Sequence, residues 1–189
     1  GSSGFTIGTL SNLGTLRLTG LQAVHDFAVY DTDSGVTEYY GTGAASQVFS
    51  SGLGAAGNAY YDLRIVGSGA GIHTLEGDIV VIRDTLIQSG VLSAATPISF
   101  NITVGRNWQN DVGHAGFVAE SGTVTFNKPS GDIYVRGDNT WYIFHCTIPG
   151  VRILFENART QRITSGGVFQ VKGILSDYIE LNKITATPD

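Results

Sequence analysis

Apolar and polar residues alternate in short runs along this chain, and helical periodicity is nearly absent. The runs are rich in Val, Ile, Thr, Tyr and Phe and are bounded by Gly, Asn, Asp and Ser, which predicts strands near 15–19, 36–40, 46–49, 60–66, 72–75, 79–82, 85–92, 98–104, 116–119, 123–126, 132–135, 141–148, 151–155, 161–164, 168–172 and 178–181. A strand-turn-strand pattern returns about every twenty residues. At longer range, Asn58-Ala-Tyr-Tyr-Asp-Leu-Arg-Ile65, Gly71-Ile-His-Thr-Leu75 and Thr85-Leu-Ile-Gln-Ser-Gly90 return as Asn139-Thr-Trp-Tyr-Ile-Phe-His-Cys146, Gly150-Val-Arg-Ile-Leu154 and Val168-Phe-Gln-Val-Lys-Gly173. Self-similarity of this kind marks a solenoid, in which each unit buries its apolar face against the next.

The chain is therefore expected to be all-β and to form a parallel β-helix. The alternative is an antiparallel β-sandwich, which needs tight hairpins of the Asn-Gly type; Asn-Gly never occurs in this sequence. Ile65, Leu86, Val104, Val124 and Phe144 follow one another at 21, 18, 20 and 20 residues, about one coil each, and are expected to form an inward ladder. Leu63, Phe126 and Ile153 join them in the expected core. Alternation in the strand after Asn58 turns Tyr61, Leu63 and Ile65 inward and Tyr60, Asp62, Arg64 and Val66 outward. The same register in the second copy turns Tyr142, Phe144, Cys146 and Ile148 inward and Trp141, Ile143, His145 and Thr147 outward. Residues 1–189 form a single domain of seven or eight coils, with 58–181 as the regular coils. Residues 1–57 are expected as an irregular N-terminal cap or, alternatively, a long surface loop.

Composition narrows the function. Hydrophobic residues at 42% and charged residues at 14% exclude a disordered chain. A net charge of −5 with scattered Lys and Arg disfavours nucleic acid as a partner. No apolar run approaches the roughly 20 residues of a membrane-crossing helix. The single cysteine rules out an internal disulfide and leaves the redox compartment open. The absence of methionine leads to the expectation of a processed product or an excised fragment.

The order Tyr60-Tyr-Asp-Leu-Arg-Ile65, Thr74-Leu-Glu-Gly77, Ile98-Ser-Phe-Asn-Ile-Thr-Val-Gly-Arg-Asn-Trp-Gln-Asn110, Gly122-Thr-Val-Thr-Phe-Asn127, Thr140-Trp-Tyr142 and Arg159-Thr-Gln-Arg-Ile-Thr164 resembles the filamentous-haemagglutinin-like repeats of large bacterial surface and secreted proteins. The resemblance covers roughly residues 58–175; Arg106 departs from it where the repeats carry Gly before Asn-Trp, and Ile143 where they carry a polar residue. It implies a right-handed β-helix and brings no catalytic set. The resulting expectation is a non-enzymatic structural or adhesive segment of a bacterial protein at the cell surface or outside the cell. Its partners would be neighbouring proteins in a surface or fibre assembly, or glycans, with no nucleic acid and no insertion into a membrane. A self-assembling extracellular fibre subunit and a carbohydrate-binding or carbohydrate-active module are the alternatives.

Few residues suggest chemistry. Asp31-Thr-Asp-Ser-Gly-Val-Thr-Glu38 places oxygen donors Asp31, Asp33 and Glu38 as at the start of a calcium loop, although Glu38 comes too soon for the bidentate acid. An Asx turn is the plainer reading of the same residues. Calcium is the one cofactor considered. His25, His73, His114 and His145 lack metal spacing and read as surface side chains, and Cys146 reads as a small apolar core residue. A polysaccharide lyase or glycosidase needs converging carboxylates or a metal with a basic group, and Asp62 with Arg64, then Asp78, Arg83 and Asp84 one coil later, read as solvated pairs. Tyr60, Trp141 and Ile143 are expected on one outer face, either as an aromatic binding patch or beneath the Gly/Ala-rich segment 41–57.

Overall fold

The computed structural model describes residues 5–21, 25–29, 31–42, 46–49, 59–69, 71–94 and 98–185. They form an all-β parallel solenoid of about six turns, a parallel β-helix, in place of the seven or eight turns expected. Among the described residues every named strand pairing is parallel, and the one antiparallel contact is the isolated bridge between Ile174 and Asp177. That excludes the sandwich.

One face is an eight-stranded sheet of β2 (Thr15–Leu18), β4 (Val36–Tyr39), β6 (Asp62–Val66), β9 (Asp84–Ser89), β12 (Asn107–Asn110), β15 (Asp132–Arg136), β17 (Arg152–Phe155) and β19 (Glu180–Lys183). A second face stacks β5 (Ser46–Val48), β7 (Ile72–Leu75), β10 (Val91–Ser93) and β13 (Phe117–Val118). The third stacks β8 (Ile79–Val81), β11 (Ile102–Val104), β14 (Thr123–Phe126), β16 (Asn139–Cys146) and β18 (Gln161–Val171). Apart from these, β1 (Phe5–Thr9) and β3 (His25–Val29) pair with each other. Stacking begins at Thr15, well before the boundary expected at residue 58, because β2 pairs with β4 and β4 with β6 in the sheet that carries the later coils.

Alternation within each strand fills the interior. β6 buries Leu63 and Ile65 and leaves Asp62, Arg64 and Val66 partly exposed. On the third face Ile102, Val124 and Phe144 lie directly over one another. Phe126, Phe144 and Phe169 continue as a stack, with centroids 4.8 and 4.9 Å apart. The expected core is present at Leu63, Ile65, Val104, Val124, Phe126, Phe144 and Ile153. Leu86 is the exception: Ile65 pairs with Ile87, so Leu86 points outward. The five residues expected to form one inward ladder are divided between two sheets: Ile65 lies on the eight-stranded face, and Val104 and Phe144 lie on the third.

Glycine is required where one coil's corner presses on the next. A Cβ at Gly137, whose φ is +79°, would sit 1.9 Å from the Asn110 carbonyl oxygen, and one at Gly105 would sit 2.0 Å from that of Ile82.

Candidate functional site

The aromatic face expected at Tyr60, Trp141 and Ile143 is not on the surface. Tyr60 and Trp141 are fully buried, and only Ile143 is partly exposed. Parity carries from residue to residue only along a straight strand, and β16 shifts register between Trp141 and Ile143. Trp141 therefore faces inward like Phe144, although they differ by an odd number of positions. Its ring meets Trp108, Phe117, Phe126 and Phe144 at centroid distances of 5.1, 5.8, 6.2 and 5.4 Å. Its Nε1 donates to Gln161 Oε1 at 3.1 Å, and Trp108 Nε1 donates to Asn139 Oδ1 at 2.8 Å, so both indoles are buried without an orphaned donor. Tyr60 likewise belongs to the third face, bridging to Val81 ahead of the corner that leads into β6. Its hydroxyl lies 2.8 Å from that of Tyr39 and donates to the Phe49 carbonyl at 2.6 Å. Tyr61, expected inside, is half-buried and lies under the Arg83 guanidinium.

The acids considered for calcium are divided between two structures. Asp31 closes an Asx turn, accepting backbone N–H groups of Asp33 and Ser34 at 3.2 Å each and also that of Asn12. The Asn12 bond is the main reason its carboxyl is held down to about 2. Glu38 lies instead in a charge ladder across three strands, 2.6 Å from Arg17 Nε and 3.5 Å from Arg64 Nη1. Among the described residues no three His, Cys, Asp or Glu side chains gather as a metal site would require.

His73 also departs from expectation, because β7 turns it fully inward beside Tyr39. Burial lowers its pKa, with the nearby Gly41 carbonyl acting in the opposite direction; neither ring nitrogen reaches hydrogen-bonding geometry among the described residues. His114 and His145 are half-buried against the Thr140 and Thr125 hydroxyls, at 3.1 and 3.5 Å. The side chain of His25 lies outside the described residues. Cys146 is buried as expected, and burial pushes its thiol pKa up.

What the fold does assemble is a groove of about 530 Å³ on the outer side of the eight-stranded sheet. Arg64, Leu86, Gln109 and Arg136 stand in one row on four consecutive strands; Asp62, Asp84, Asn107 and Tyr134 stand in the row beside it. Arg106 and Lys128 reach the same groove from corners. Arg106 holds Asp84 through two hydrogen bonds, one of them 2.8 Å from Nε to Oδ1. Asp62 accepts the Asp84 backbone N–H at 3.0 Å, and its pKa is raised chiefly by burial.

Lys128 donates to the Asp132 carbonyl oxygen, and its pKa is lowered chiefly by burial, with Asp132 opposing and Arg106 reinforcing that shift. Arg136 lies over the Tyr134 ring at 5.7 Å. Among the described residues neither Lys128 nor Arg136 is in ion-pair contact with a carboxylate.

No protein-family model, curated protein or solved structure matches this chain. The resemblance to filamentous-haemagglutinin-like repeats thus rests on the motifs themselves, and the site has to be read from its own chemistry. Asp62 and Arg64 were legible as outward residues, but Arg106, Lys128 and Arg136 were not connected to them. Only the coil-to-coil register brings these side chains together.

Proposed function

We propose that this chain is a non-enzymatic structural and adhesive β-helix segment of a bacterial surface or secreted protein, akin to filamentous-haemagglutinin-like repeats. The observation that supports it is the continuous parallel stack: eight parallel strands on one face over an interior of interlocked aromatic rings. Each coil is bonded to the next along its length, so the molecule resists bending and displays outward side chains in fixed rows. The carboxylates of the groove are engaged by Arg106, Arg83 and backbone N–H groups, an arrangement suited to holding charge in place. Antibodies raised against the folded protein test the location. Staining of intact source cells, or recovery of the protein from their medium, is the expected result; staining only after permeabilisation, with none in the medium, would refute it.

A fibre subunit is the second reading, favoured by the C-terminal end of the stack. Among the described residues no strand pairs with the far edges of β18 and β19, and the inward-row residues Phe169 and Leu181 are 41% and 50% exposed there. Free edges over apolar side chains favour addition of another coil. Sedimentation velocity over a rising concentration series is expected to show growing polymers that Leu181→Lys abolishes, and a constant monomer would remove this reading.

A further inference from the structure

We propose that the groove on the eight-stranded face binds a carboxylate-bearing saccharide chain, an oligouronide, laid across successive coils. This names the ligand class of the adhesive reading above and rests on that reading only for its biological setting. Three observations carry it.

The first is charge. Arg64, Arg106, Lys128 and Arg136 line the groove against Asp62 and Asp84, an excess of two positive charges on a chain whose net charge is −5. Two of the cations have work left to do. Arg106 and Arg64 already contact Asp84 and Glu38, whereas Lys128 and Arg136 have no carboxylate partner among the described residues. Lys128 is partly desolvated, with a carbonyl oxygen as its one direct hydrogen-bond partner among the described residues and Asp132 and Asp84 acting on it only from a distance, so an incoming carboxylate gains a charge-assisted hydrogen bond at little further desolvation cost.

The second is the mixture of groups between those cations. Gln109 donates one Nε2–H to Asp111 Oδ1 at 2.8 Å and keeps its other N–H and its oxygen, and Asn107 retains its NH₂ because its Oδ1 is the atom that accepts the Tyr134 N–H at 3.0 Å. Leu86 and the Tyr134 ring offer apolar surface in the same rows. Amides for ring hydroxyls, apolar surface for the C–H faces and cations for carboxylates together match an acidic sugar chain; a simple inorganic anion would use only the last.

The third is repeat and rigidity. Adjacent strands stand about 4.8 Å apart, a step close to the length of one sugar in an extended chain, so the rows can meet successive sugars in register. The groove floor is sheet backbone, and Arg106 is clamped by Asp84, which limits the ordering cost of binding.

The test is titration calorimetry of the folded chain with a linear oligogalacturonate, compared with its fully methyl-esterified form, which keeps the shape and loses the charge. Lys128→Ala/Arg136→Ala is the deciding variant, Lys172→Ala outside the groove is the control, and circular dichroism melting verifies that each is folded. The acid form is expected to bind at least about tenfold more tightly than the ester, to weaken steeply with salt, and to lose on the order of tenfold or more in affinity in the double variant. No binding of the acid form, equal binding of acid and ester, unchanged binding by the double variant, or preference for single-stranded DNA over the oligogalacturonate would each overturn the proposal. Binding by a protein confined inside the cell would refute the surface location and leave the groove standing. A surface protein that ignores oligogalacturonate would do the reverse.

Discussion

Replacing Trp141 with Ala tests the register of the solenoid at its most informative point. The indole is fully buried and touches four other aromatic rings at centroid distances from 5.1 to 6.2 Å. Removing a buried Trp costs about 3–5 kcal/mol in transfer and cavity terms. The upper part of that range is expected, because neighbouring coils are held in place by their own ladders and cannot close over the gap. The lost hydrogen bond adds little: Gln161 Oε1 still accepts from Asn139 Nδ2 at 3.1 Å, so no acceptor is stranded. For a chain of this length each kcal/mol moves the melting temperature by about 2–4 °C, so a loss of about 4 kcal/mol lowers it by roughly 8–16 °C. Urea unfolding followed by circular dichroism measures the change, and Trp108, the one tryptophan left, reports the same interior by fluorescence. Leu86→Ala, on the outward side of its strand, is expected to cost under about 1 kcal/mol. A loss below about 1 kcal/mol at Trp141, or a larger loss at Leu86, would refute the inward register.

Two further outcomes follow from buried groups. Cys146 is enclosed and its thiol pKa is raised by burial, so a thiol reagent is expected to label it only after denaturation; rapid stoichiometric labelling of the native protein would contradict this. His73 is buried with a folded-state pKa below its ordinary 6.5, so the unfolded chain binds the extra proton and stability present above about 6.5 falls as the pH drops through that value toward the folded-state pKa. His73→Gln is expected to flatten the acid side of the urea-midpoint profile, and a slope unchanged by the substitution would assign the acid sensitivity elsewhere.

The fold was legible because alternation is a local property of a strand. Leu63 and Ile65, or Phe144 and Cys146, sit two apart on straight segments, and each pair faces the interior as alternation demands. The corners were not legible in the same way. Between Tyr60 and Leu63 the chain turns from the third face into the eight-stranded sheet, and between Trp141 and Ile143 β16 shifts register within its own sheet, so parity counted across either point puts Tyr60 and Trp141 on the wrong side. A signal was present: Asn139 and Gln161 carry the amides that buried indole N–H groups need, and Trp108 and Trp141 each find one at a distance of one coil or more. Buried tryptophan wants a hydrogen-bond acceptor, so an amide about one coil or more further along, as Asn139 is to Trp108 and Gln161 to Trp141, marks an indole that points inward.

The groove was hidden for a related reason. Its main row steps from Arg64 to Leu86, Gln109 and Arg136 at intervals of 22, 23 and 27 residues, because corners between strands differ in length. A constant period near twenty drifts out of register within two coils, enough to select Leu86 for the core in place of Ile87 and to leave Asp62 and Arg64 as an isolated pair. Corners of a solenoid can lengthen without disturbing the stack, since each added residue loops outside the ladder and costs little in closure entropy. The same freedom lets corner residues such as Arg106 and Lys128 reach over a face whose flat strands are fixed by packing. Side chains that hold the coils together thus obey the strand period, whereas those free to meet a ligand are set by corner length, which the strand period does not reveal.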